Sequence, residues 1–167
     1  MVQDLAPIDR FRGEWEVLSN FAFVPVTRNG ATYRTSEHAF QAAKAISPAD
    51  AERVAAAPTP TEAKRLGRHV QARPDWEQIK VNVMRECLRS KFSDPAARAK
   101  LLSTGQRLLR ESNTWHDNYW GDCACPRCAG TPGQNLLGRL LMELRDQLLT
   151  ELTATSTPPQ PGNGLLW

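Results

Sequence analysis

Thr35-Ser36-Glu37-His38-Ala39-Phe40-Gln41-Ala42-Ala43-Lys44-Ala45 is the stretch that decides how the rest of the chain reads. Thr35 or Ser36 can cap a helix, Glu37 falls in its first turn where a carboxylate favours the positive helix end, and the spacing predicts helix as far as Ile46. Along it Glu37, Gln41 and Lys44 recur at i, i+4 and i+7, while Ala39, Phe40 and Ala43 point in other directions. A carboxylate, an amide and an amine therefore share one face. Spacing alone leaves that face either a solvated, ion-pairing surface or the polar wall of a site.

Upstream of this helix, Phe21, Phe23 and Val24 precede Asn29-Gly30 and Ala31-Thr32-Tyr33 follows, which predicts a small hairpin closed by a type I′ turn. Pro25 confines the first strand to an edge. Downstream, Thr59-Pro60-Thr61-Glu62 puts proline at the first helical position and glutamate where a capping box needs it, and Gly67 can end the helix that follows. Pro74 opens a longer helix in which Trp76, Ile79, Val83, Cys87, Leu88 and Phe92 form one apolar stripe, and Cys87 reads there as a packed small apolar residue. Asp94-Pro95 starts a further helix toward Thr104. Residues 135–152 read as the last and central core helix, with Leu136, Leu137, Leu140, Leu141, Leu144 and Leu148 on its apolar face.

The 167 residues, 41% of them hydrophobic, suit one ordinary domain and give no reason for two. Residues 1–10 form a lead, residues 11–152 the domain, and residues 153–167, rich in proline, glycine and threonine, a flexible tail. The expected class is α+β, predominantly helical, with no internal repeat. The first residues resemble neither a secretory signal nor an anchor and no segment approaches membrane-spanning length, so the expected location is the cytoplasm. A formal charge of +3 is too mild for wholesale phosphate neutralisation along a duplex. A local basic mouth remains open through Arg65, Arg68, His69 and Arg73, followed by Arg85, Arg89 and Lys91 on the next helix.

Three features carry chemistry. Trp115-His116-Asp117-Asn118-Tyr119-Trp120-Gly121-Asp122 places aromatics among acids, an imidazole and an amide outside any amphipathic period, which suits stacking on a planar base. Gly130, Gly133 and Asn135 lead into the last helix, whose free N–H groups and positive end could receive an anion. Cys123, Cys125 and Cys128 supply three soft ligands, with His116 the nearest fourth, a pattern unlike a secreted disulfide framework. These residues suit either a structural zinc or reduced thiols packing the loop.

Together with Phe11-Arg12-Gly13, Leu18-Ser19-Asn20-Phe21, Gly67-Arg68, the run from Arg73-Pro74-Asp75-Trp76 to Lys80, Asp117 with Trp120-Gly121, and Gly133-Gln134-Asn135-Leu136-Leu137-Gly138 through Arg145, the opening stretch resembles the NADAR family of YbiA-like N-glycosidases. The likeness spans roughly residues 11–149. It implies a compact, mostly helical fold and hydrolysis of the bond between a ribosyl carbon and an exocyclic amine. The substrates it implies are riboflavin-pathway ribosylaminopyrimidine phosphates or ADP-ribosylated guanine in DNA or RNA, the latter including antitoxin roles. On that footing Lys44 would be a nucleophile forming a Schiff base at C1, with Glu37 moving protons and Lys80 the reserve amine. Alternatively Glu37 or Asp117 would activate water for direct displacement. Trp120 and Tyr119 would stack on the base, Asn20 and Asn135 would hold ribose hydroxyls, and the helix start at Gly133 would take the phosphate. Gln41, Arg68, Gly121 and Gly138 complete the expected contacts. No cofactor is required for this chemistry. The competing class is a module that binds ADP-ribose without cutting it.

Overall fold

The computed structural model describes residues 6–155. The first pairing in it is long-range: β1 (Ile8–Asp9) runs parallel to β4 (Leu109–Arg110), so the lead is stitched to the domain from Ile8, which is buried. A short 3-10 helix (Gly13–Leu18) follows. β2 (Val26–Arg28) and β3 (Ala31–Tyr33) then form the expected hairpin, with Asn29 at φ 49° and Gly30 at φ 78°, the left-handed pair a type I′ turn requires. Phe21 and Phe23 lie before the hairpin rather than in it, because Pro25 keeps the ladder from starting earlier.

α1 (Ser36–Lys44) is capped by the Thr35 hydroxyl, which accepts from the His38 amide. It is buried on nearly every side from Ser36 to Ala42 because α2 (Pro48–Ala55), α3 (Pro60–Gly67) and α4 (Trp76–Lys91) all pack on it. His38 is accordingly a satisfied core residue: Nδ1 accepts from the Thr35 hydroxyl at 2.8 Å and Nε2 donates to the Ala57 carbonyl at 3.0 Å. The sequence reading did not foresee α2; Ser47 caps it and Pro48 opens it, but only Val54 of its residues is fully buried. α3 and α5 (Pro95–Leu102) start on the caps expected of Thr59 and Asp94.

α6 (Leu136–Thr155) buries Leu137, Leu140, Leu141, Leu144 and Leu148 against β4, α5 and α4. Each such leucine contributes about 1.5–3 kcal/mol by leaving water, and truncating the wholly buried Leu141 to alanine would cost about 2–5 kcal/mol. The helix runs three residues past the expected end at Leu152, and the expected tail from residue 156 onward lies outside the described residues. The hub is α1 rather than α6: α6 covers one side of the core, while α1 is enclosed by three helices. β5 (Ser112–Asn113) and β6 (Asp122–Cys123) make a second short parallel pair that closes the loop of residues 114–121. Among the described residues no helix is long and apolar enough to cross a membrane.

Candidate active site

α1 carries an acid into the interior. Glu37 is 6% exposed, and its Oε1 accepts from Gln41 Nε2 at 2.8 Å, one helical turn on. Burial pushes its carboxyl above the ordinary range, against the pull of the Gln41 hydrogen bond and the positive Lys64 and Arg68; the negative Asp117 adds to the upward push. Glu37 and Gln41 of the expected polar face thus line a cavity rather than facing bulk water.

That cavity holds about 870 Å³, the size of a nucleotide-scale ligand site. Glu37, Phe40 and Gln41 form its floor, and α3 contributes Thr61, Lys64, Arg65 and Arg68. Arg12, Asn20, Glu111, Trp115, Asp117 and Trp120 also line it. Asn20 is 8% exposed and its Oδ1 has no partner, so a buried acceptor stands ready for a ligand hydroxyl or N–H. Its turn is held from behind by Lys91, whose ammonium donates to the Ser19 carbonyl at 2.6 Å and whose complete burial lowers it to about 7.

Glu111 is the second unusual acid. Burial first, then the charge of Asp117, raises it to about 7 despite Arg12 and Lys64, and its Oε2 is buried without a partner. Asp117 is fixed in orientation: its Oδ1 accepts from the amides of Tyr119 (3.1 Å) and Trp120 (2.9 Å), and Asn113 brackets its backbone on both sides. Trp120 packs edge-on against Phe40 with centroids 5.3 Å apart, which holds its indole at the cavity wall. Trp115 is 51% exposed at the rim, free to cover a planar group.

Of the residues anticipated from sequence, Glu37, Gln41, Arg68, Asn20, Asp117 and Trp120 meet around this space. The others lie elsewhere. The Lys44 ammonium donates to the Gly67 carbonyl at 2.8 Å, outside the lining, and pins α1 to the end of α3. Lys80 pairs with Glu77 and stands 4.2 Å over the Tyr119 ring, which backs Trp120 instead of reaching the cavity. Asn135 is a clamp: Nδ2 donates to the Leu109 carbonyl at 2.9 Å and Oδ1 accepts from the Glu111 amide at 3.0 Å, which sets Glu111 in place from behind. The start of α6 is no open anion site, because the amides of Gln134, Asn135, Leu136 and Leu137 already donate to carbonyls of the loop containing Asn118, Tyr119, Trp120 and Gly121. Gly121, Gly133 and Gly138 serve this same close packing: a Cβ on Gly121 would meet the Asn113 amide at 2.5 Å, and one on Gly138 would meet the Asn135 side chain at 2.6 Å.

Of the foreseen basic mouth, only Arg65 and Arg68 on α3 line the cavity. Arg73 pairs with Asp75 at 2.6 Å, Arg85 with Glu143 at 3.1 Å, and Lys91 is buried. Sequence reasoning missed Glu111, Lys64 and Arg12 as site residues. Thr61, Lys64, Arg65 and Arg68 recur at i, i+3, i+4 and i+7, the same polar stripe that marked α1, and this signal could have found Lys64. Glu111 sits between two-residue strands with no local pattern to mark it. Cys87 is packed as expected, its thiol pushed up to about 12 by burial. His116, Cys125 and Cys128 converge, with donor atoms within 4.8 Å of one another, and could hold a metal.

Two acids raised by burial, a bank of cations and two indoles thus line one cavity. The chain belongs to the NADAR domain family, whose model matches residues 10–149. It is 43% identical over 136 residues to N-glycosidase YbiA of Escherichia coli, a match covering 80% of this chain and 81% of that one. The solved NMR structure of E. coli YbiA superposes with a TM-score of 0.78 at 38% identity, covering 96% of this chain and 94% of that one. An N-glycosidase of Nostoc punctiforme is 38% identical over 143 residues, covering 82% of this chain and 88% of that one. A riboflavin biosynthesis protein of Vibrio vulnificus is 38% identical over 135 residues, covering 78% of this chain but 35% of its own length. The helix-rich α+β fold with its small N-terminal hairpin is therefore the NADAR fold.

Proposed function

We propose that this hydrolase of N-glycosyl bonds cleaves the link between C1 of a phosphoribosyl or ADP-ribosyl group and the exocyclic amine of a base. The observation that carries the reading is the convergence of Glu37 and Glu111, both raised by burial, with Trp115, Trp120 and the α3 cations on one cavity. Relatives named N-glycosidases and riboflavin biosynthesis proteins support the reaction type. Burial raises the Glu37 carboxyl, which suits it to give a proton to a departing amine, and that is the role assigned to Glu37. Water attacks C1, its proton passes to Glu111, the C1–N bond breaks, and the amine leaves with the proton of Glu37. The negative charge of Asp117 adds to the upward push on both acids. Arg12, Lys64, Arg65 and Arg68 receive the phosphate or diphosphate, Asn20 accepts from a ribose hydroxyl, and the indoles cover the base.

Direct displacement is preferred over a lysine adduct because the Lys44 ammonium is committed to the Gly67 carbonyl. A Schiff base would require Lys44 to release it, or Lys64, which lines the cavity, to act instead. Ribosylaminopyrimidine phosphates and ADP-ribosylated guanine are the two substrate classes of this reading, to which the cytoplasm, an antitoxin role and a nucleic-acid partner also belong. Product chromatography with each substrate, with borohydride present, tests it. Free base and ribose phosphate or ADP-ribose, with no mass added to the protein, is the expected outcome. Ligand binding without turnover would make the chain a binding module, and a trapped lysine adduct would replace the water mechanism.

A further inference from the structure

We propose that His116, Cys123, Cys125 and Cys128 form a closed zinc site that holds the Trp115 and Asp117 wall of the cavity in place. His116 Nδ1 lies 3.0 Å from Cys128 Sγ and 3.7 Å from Cys125 Sγ. Tetrahedral zinc, at its usual bond lengths to imidazole and thiolate, separates such atoms by roughly 3.6 Å, so small shifts would admit the ion between them. Cys123 is the fourth donor: it is buried in one cluster with Cys125 and Cys128, but its sulfur falls outside the set of His116, Cys125 and Cys128 donors that lie within 4.8 Å of one another, so zinc binding would draw it inward. The Cys123 sulfur also accepts the amides of His116 at 3.3 Å and of Cys125 at 3.4 Å, the N–H···S pattern that stabilises a thiolate.

His116 sits at φ 67°, in the left-handed region that histidine adopts more readily than most side chains, and its Nδ1 lies against the Cys128 thiol. None of the cysteines is paired in a disulfide. Three thiolates and one imidazole with no open position select a structural zinc over magnesium, calcium or a catalytic metal. The ion would join three segments: the loop bearing His116, β6 through Cys123, and the 3-10 turn (Pro126–Cys128) that follows. Trp115 and Asp117 flank His116 and line the cavity, so the zinc site is a brace for that wall and takes no part in the reaction.

The test is metal analysis of the full chain purified under reducing conditions, with no chelator. About one zinc per chain is expected, falling at least ten-fold in Cys125→Ser and Cys128→Ser. Because those variants could fail to fold, the unaltered chain is also exchanged with cobalt, which should give the intense thiolate-to-cobalt absorption of a tetrahedral site. On metal removal, Trp115 should become more open to a soluble fluorescence quencher while far-ultraviolet circular dichroism keeps its helical signal. A chain that takes up neither zinc nor cobalt while all four thiols react with a thiol reagent would overturn the proposal. So would zinc retained in both variants, or a disulfide between two of these cysteines in the freshly purified protein. None of these readouts depends on turnover, so the zinc site stands or falls apart from the glycosidase reading.

Discussion

Replacing Gly67 by alanine should damage both the fold and the site through a single contact. A Cβ built there meets Gln41 Cδ at 2.7 Å and Gln41 Cβ at 2.9 Å, with the Gln41 amide oxygen closer still. Rotating Gln41 away can relieve the amide but not its Cβ, which is fixed to the α1 backbone, so α3 must also draw back from α1. Overpacking of this kind costs about 1–3 kcal/mol. Gly67 ends a helix without a left-handed φ, so alanine recovers about 0.5–1 kcal/mol of backbone entropy. The net loss should be about 1–2 kcal/mol, or a Tm lower by about 2–8 °C for a domain of this size. Displacing Gln41 also removes the 2.8 Å hydrogen bond that aims Glu37, and α3 carries Lys64 and Arg68 with it, so kcat should fall about ten-fold, as expected when one positioned acid loses its orienting partner. Urea denaturation and product chromatography read the two effects. A variant as stable as the parent, with unchanged kcat, would refute the packing argument.

The pH dependence of kcat/KM should show an acidic limb near pH 7 from Glu111, since a base raised to about 7 loses its function as it protonates below that value; Glu111→Gln should abolish the limb and lower kcat. Lys91 is depressed to about 7 from 10.5, so its contribution to stability is present at high pH and is lost as pH falls from about 10.5 toward 7, on the order of 5 kcal/mol. Denaturation across that window should show this slope, and Lys91→Met, which leaves the Ser19 carbonyl the amide of Ala22, should remove it. Trp115→Ala should raise KM about ten-fold through lost stacking, with Tm changed by less than 2 °C given its exposure, whereas Trp120→Ala should also destabilise because its ring packs on Phe40.

Elements governed by local rules were legible in the sequence. The caps at Thr35, Thr59 and Asp94, the Asn29-Gly30 turn and the stripe from Trp76 to Phe92 all act within a few residues, and each appears where local chemistry puts it. α2 escaped notice because Val54 alone of its residues is fully buried, leaving no stripe to read. The pairings of Ile8 with Leu109 and of Ser112 with Asp122 are too short and too distant to leave a period. In the site, Glu37, Gln41, Asp117 and Trp120 were legible because they lie in dense polar or aromatic runs. Whether a residue faces the cavity or supports it was not. Lys44 shares the α1 face with Glu37, yet a further turn carries its ammonium to Gly67, and Asn135 looks like a ligand for ribose yet spends both amide atoms on the chain. Glycine before a helix suggests an open positive end, and only tertiary structure shows that loop carbonyls fill it.

The most direct test compares the parent with Glu37→Gln on a ribosylaminopyrimidine phosphate and on DNA bearing ADP-ribosylated guanine, following free base and released sugar phosphate. The account predicts that the parent releases base and sugar from at least one of them. Glu37→Gln should still bind that substrate but turn it over about 10²–10⁴-fold more slowly, because the amide has no proton to give the leaving amine. Equal turnover by both proteins, or no release of sugar from either substrate by the parent, would contradict it.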